Sequence, residues 1–303
     1  MQRISECLSS KFPGEGPTAT YRAELARICS AFAESGFADG KYVRELTLGP
    51  EGTFWSCVSE ALIFDRLRSR LAPRISIGSG PDFLLLCGDT KVWVEVVCPE
   101  PVGIPQEWLN IQTSTAVTVP HEAILLRWTS VIKDKAEKLI GSADGRTAGY
   151  LQTGVVSPND VYVVAVNGCR LRNGPFPALN GISQFPYAVE AVFPVGPYQI
   201  RIDRGTLKAV GQGYQERFNV TKPTGANVPT SAFLDPRYAP VSAIWAVDFN
   251  GEGILGNSEP SALVHNPNAV QPLPRDFLDA DVEFVASSHG DGEFLLERHS
   301  RNG

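Results

Sequence analysis

The stretch that decides the fold runs from Pro81 to Pro101, PDFLLLCGDTKVWVEVVCPEP. Two runs rich in β-branched and large apolar residues flank Gly88-Asp89, and this predicts a two-residue β-hairpin. If Gly88 and Asp89 form the turn, Cys87 faces Thr90, and the same register sets Asp82 opposite Glu95 on one face of the ladder. Cross-strand neighbours have Cβ atoms roughly 4.5–5.5 Å apart, and like charges at that distance repel unless a cation separates them or one is protonated. Glu95 also sits within VWVEVVC, apolar on both parities, where a bare carboxylate is costly to bury. A hard divalent cation resolves both problems, and Mg²⁺ characteristically takes one or two carboxylates together with water and phosphate.

Helical patterns lie on both sides of this hairpin. Thr53–Leu71 has helical periodicity, with Glu60 falling between Leu67 and Leu71 beside Phe64, toward a packed side. Its polar face carries Ser59, Arg66 and Arg70, part of a basic run that continues to Arg74. His121–Ile140 predicts a second helix whose apolar face holds Leu125, Trp128, Val131, Ile132, Ala136 and Leu139. Lys135 falls inside that face, Arg127 and Lys138 on the outer side, and Lys133 at the opposite margin. Tyr21–Phe37 predicts a further helix, and Asp160–Asn167 and Val241–Phe249 read as buried strands. Short strand-like runs follow at Tyr187–Phe193, Tyr198–Ile202 and Arg217–Val220, and the polar tail is expected to fray. The expected division is an N-terminal helical segment (1–52), a core (53–170), a β-rich insertion (171–240), and a core strand with a C-terminal segment (241–303). A separate C-terminal β domain is the competing division.

An inward Glu60 on a helix, Pro81-Asp82 opening a strand and Glu95 in the next strand resemble the PD-(D/E)xK nuclease superfamily. The resemblance covers about Thr53 to Asn167, in the order helix, strand, strand, helix, strand. It implies an α/β fold with a restriction-endonuclease-like core, a central mixed sheet flanked by helices, and the β-rich C-terminal part as insertion or appendage. It also implies Mg²⁺ (or Mn²⁺) held by Asp82 and Glu95, with Glu60 assisting, and a lysine that orients the attacking water. The family's lysine stands two residues after the glutamate, but here that position is Val97. Some relatives supply it from the following helix, which makes Lys135 the migrated candidate. The expected function is a metal-dependent nuclease acting on DNA, or on RNA, through Glu60, Asp82, Glu95 and Lys135. Arg66, Arg70, Arg127 and Lys133 are candidate nucleic-acid contacts. The alternative is a catalytically degenerate protein of the same fold that binds nucleic acid or protein.

Composition narrows the field. The 303 residues are 43% hydrophobic and 20% charged, ordinary values for a globular chain with a real core. A formal net charge of -6 excludes a protein that coats nucleic acid by bulk basicity, but not one with a local basic groove. No apolar run reaches the roughly 20 residues that span a bilayer, and the N-terminus lacks a secretory pattern. Six scattered cysteines without a CxxC pair argue against a zinc ribbon and for reduced thiols in a cytoplasm. The four histidines form no paired motif, His265 in VHNPNA reads as part of a turn, and no phosphate loop or nucleophile elbow occurs. A homodimer is left open.

Overall fold

Gly88 adopts φ +59°, a conformation open to glycine at little cost, and closes the hairpin of β1 (Phe83–Cys87) and β2 (Thr90–Val97). The two strands pair antiparallel, Cys87 with Thr90 through Phe83 with Val94, in the register that the turn predicts. The computed structural model describes residues 2–72, 80–110, 116–174, 179–290 and 293–301. Arg74 lies outside them.

Helices α1 (Gln2–Lys11), α2 (Pro17–Glu34), α3 (Tyr42–Leu48) and α4 (Glu51–Leu67) precede the hairpin. A short α5 (Gln106–Leu109) and the long α6 (His121–Ile140) follow it, then β3 (Val161–Asn167). The remainder comprises α7 (Tyr187–Val192), a hairpin of β4 (Val195–Ile202) and β5 (Ala209–Glu216), and a small hairpin of β6 (Asn219–Thr221) and β7 (Asn227–Pro229). Last come β8 (Ala243–Val247), β9 (Ser261–His265), β10 (Val282–Gly290) and β11 (Glu293–Ser300).

The molecule is α/β. A mixed sheet of seven strands runs in the order β1-β2-β3-β8-β9-β10-β11. Strands β2, β3 and β8 are mutually parallel, as are β9 and β10, and the remaining neighbours are antiparallel. Every residue of β3 and β8 is buried, as expected for central strands covered on both faces. Alternation along the strands sorts two cores. Val92, Val94, Val96, Val163 and Trp245 pack with α1–α4, whereas Tyr162, Val164 and Val166 pack with α6 and α7.

Several expectations need correction. Tyr187–Phe193 is a helix, not a strand: YAVEAV is apolar all round because every residue of α7 is buried. The tail is paired as far as Ser300, where β10 and β11 form an antiparallel hairpin at the far edge of the sheet, and residues 302–303 lie outside the described residues. Residues 2–48 are helical, and Ile4, Leu8, Leu25 and Leu46 share one core with α4 and the sheet. The return of the sheet after residue 240 is as expected, with β8 paired to β3 from Val163–Ala243 to Asn167–Val247.

Candidate active site

β1 begins one residue after Asp82, and continuing its register sets Asp82 across from Glu95. The half-buried Asp82 carboxylate folds toward that strand, where its Oδ2 accepts the Val96 backbone N–H at 2.7 Å. Glu95 is 1% exposed and lies on the face of β2 that meets α6. Two ammonium groups reach it: Lys135 Nζ at 2.6 Å and Lys138 Nζ at 2.7 Å, both donating to Oε1. Glu95 Oε2 is buried and accepts no hydrogen bond among the described residues.

The four-carbon stems of the lysines explain this convergence. Lys135 lies within the buried face of α6 with its side chain 15% exposed, so its ammonium is held inside the fold. Lys138, one turn on, keeps half of its side chain in solvent and bends its head inward. Sequence reasoning set Lys138 on the outer side of the helix. The angular position was sound, but a helical wheel does not register how far a lysine reaches. Burial works against the charge of Lys138, yet the Glu95 carboxylate outweighs it and raises its pKa.

Three carboxylates share the region. Burial, then the Glu95 charge, pushes Asp82 up to about 7, with Lys135, the Val96 N–H and Lys138 opposing. Glu60, on α4, is pushed up to about 8 by burial and then by Asp82. Tyr150 borders the cluster, its hydroxyl raised to about 12 by burial and the Glu95 charge. Two lysines therefore do not supply enough positive charge for three ionised acids in this setting.

The residues fit a hard divalent cation. The buried, unbonded Oε2 of Glu95 is an available oxygen donor, and the raised acids mark a place where added positive charge is favourable. Among the described residues no group of three or more His, Cys, Asp and Glu side chains is gathered as a closed cage. An open set of one or two carboxylates is nevertheless what Mg²⁺ uses when water and phosphate complete its shell.

The four candidate nucleic-acid contacts divide into two pairs. Arg66 binds Glu259 at 3.0 Å and stacks 4.8 Å above the Phe249 ring. Arg70 donates to the Phe277 carbonyl and lies 4.4 Å over that ring, so both arginines brace the C-terminal segments against α4. Arg127 and Lys133 instead line one surface groove beside α6. Arg127 donates Nε to the Glu100 carbonyl at 2.8 Å, and Lys133 approaches Glu137 at 3.9 Å.

Other polar clusters are structural. Glu190, fully buried, is bonded by Ser183, by Arg217 at 2.5 Å and by His121 at 3.0 Å. His265 ends β9, buried against Glu283 at 3.1 Å, and the Asn266 side chain then ties the following turn to Val241 and Tyr238. No disulfide joins the six cysteines. No helix among the described residues is long and apolar enough to cross a membrane.

Comparison of the chain with family models, with curated proteins and with solved structures gives no match in any of the three.

Proposed function

We propose that this chain is a metal-dependent nuclease built on a restriction-endonuclease-like core, hydrolysing phosphodiester bonds, with DNA the preferred substrate. The observation that carries the reading is Lys135 Nζ at 2.6 Å from Glu95 Oε1, on the strand whose hairpin partner begins one residue after Asp82. The lysine missing at Val97 is thereby replaced in space by one from α6.

Asp82 and Glu95, with Glu60 assisting, would hold Mg²⁺ or Mn²⁺. The chemistry such an ion supplies when bound is polarisation of the scissile phosphate and acidification of a water. Lys135 has two roles within the chain's own machinery. It neutralises Glu95 in a dry setting, and it sets a positive charge where negative charge grows on the phosphate. Lys138, half in solvent, is the natural donor toward an entering substrate. Glu60 and Asp82, with pKa values near neutrality, can accept or release a proton at working pH.

The test is cleavage of plasmid DNA and of RNA by the wild type and by Glu95→Ala, with Mg²⁺ and with Mn²⁺. Cleavage by the wild type and loss of at least 100-fold in the variant are expected. Equal activity in both proteins, or none in either on any substrate, would overturn the catalytic reading.

The degenerate alternative has an observation of its own. Both lysines converge on a single Glu95 oxygen, so one acid is already neutralised without an ion. If calorimetry detects neither Mg²⁺ nor Mn²⁺ binding while an oligonucleotide still binds, the chain is a binding module on this fold.

A further inference from the structure

Beside α6, about a third of a turn around the helix from the side that meets Glu95, lies a groove of about 550 Å³. Three separate chain segments build it: residues 102–103 after β2, the outer side of α6, and the β6–β7 hairpin. Its floor is apolar, formed by Leu126, Val228, Pro223 and Pro229, and three cations rim it, Arg127, Lys133 and Lys222. Asp134 is the single acid in the lining.

These cations are weakly committed within the chain. Lys222 makes no ion pair among the described residues. Lys133 stands 3.9 Å from Glu137, whose same oxygen is held more closely by Arg237 at 3.0 Å. Arg127 uses Nε on a carbonyl and makes no ion pair among the described residues. A local excess of positive charge in a chain of net charge -6 is the electrostatic footprint of an anionic partner.

We propose that this groove is a track for the backbone of a nucleic-acid strand, with phosphates on Arg127, Lys133 and Lys222 and sugar or base against the proline-lined floor. The inference rests on the nuclease reading for its choice of anion and deepens it. Arg127 and Lys138, eleven residues apart and so on nearly the same side of α6, are separated by roughly 16 Å along the helix axis, so a strand leaving the groove past Arg127 reaches Lys138, whose Nζ donates to Glu95.

The experiment uses the full chain and a fluorescein-labelled single-stranded DNA oligonucleotide in EDTA, with anisotropy read from 50 to 200 mM salt. The variant is Lys133→Gln with Lys222→Gln, both exposed residues whose replacement should leave Tm unchanged. We expect binding about tenfold weaker, and a salt slope shallower by about 1.4, from roughly 0.7 per lost phosphate contact on a single strand. Cleavage of unlabelled DNA with Mg²⁺ is measured in parallel. Unchanged affinity and slope in the variant overturn the groove, and the nuclease reading stands if the wild type still cleaves. Binding lost in the variant, with no cleavage by the wild type, upholds the groove and overturns the nuclease reading. No binding by the wild type overturns the groove outright. Displacement of the oligonucleotide by polyglutamate as effectively as by unlabelled DNA also overturns it, since the groove would then serve an acidic peptide.

Discussion

At the scale of single residues, the proposed chemistry turns on the environment of Glu95. Two ammonium groups on one oxygen, with the other oxygen buried and unbonded, make its two donors inequivalent. Removing one lysine leaves the other, so Lys135→Met should cost stability of order 1–2 kcal/mol while reducing cleavage by 10²–10³-fold. Removing both leaves a buried, uncompensated carboxylate and should cost about 3–5 kcal/mol, read from urea unfolding. Adding Glu95→Gln to the double lysine variant should restore much of that loss. The acids give a second prediction with a definite sign. Asp82 and Glu60 have folded pKa values of about 7 and about 8, above their ordinary values. The folded state therefore holds more protons than the unfolded state between about pH 4 and pH 8. Their contribution to stability is fully present below pH 4 and is lost as pH rises through 7 and 8. Tm should fall across that window, and Asp82→Asn should flatten the fall. A bound divalent cation replaces those protons, so calorimetry at pH 7 in buffers of different ionisation enthalpy should show proton release on Mg²⁺ binding.

At the scale of elements, α6 has two sides that carry cations. One presents Lys135 and Lys138 to β2, and the other presents Arg127 and Lys133 to the groove. Its boundaries were readable because His121–Ile140 keeps one apolar stripe from end to end. The Asp82–Glu95 register was readable for a different reason: a two-residue turn leaves a hairpin a single pairing, and the period of two fixes which side chains share a face. Both acids and Lys135 were therefore legible before any coordinates. Lys138 was not, because its position on the helix says outward and only its length says inward. Helix α7 was not, because a six-residue element buried on every side has no polar stripe to reveal its period. Strands β10 and β11 were hidden by the charged and polar residues that an edge hairpin tolerates, among them Glu297 and Arg298. Arg66 of α4 and Arg70 just beyond it looked like free surface because their partners, Glu259 and Phe277, lie some two hundred residues away.

For the whole molecule, the seven-stranded sheet decides what can be removed. β3 has β2 on one side and β8 on the other, so a chain ending at Asn167 would leave a strand that is buried along its whole length as an open edge. Such a truncation should aggregate rather than fold, as size-exclusion chromatography would show. Trp245 on β8 is buried in the layer that packs against α1–α4, and Trp245→Ala should cost about 3–5 kcal/mol. The same layer explains why the N-terminal helices are not an ornament. They cover the face of β2 opposite Glu95, so that the strand carrying the acid is fixed from behind while α6 approaches from the front.

The late pairing of β8 with β3 has a consequence for biosynthesis. Val163 must wait for Ala243, and translation at roughly 5–20 residues per second takes about 4–16 s to make the intervening chain. Throughout that interval the nascent polypeptide displays VYVVAVN with one hydrogen-bonding edge unmet. The stretch of chain between β3 and β8 is therefore a delay line, and production of this protein should depend on chaperone supply more steeply than its finished stability would suggest.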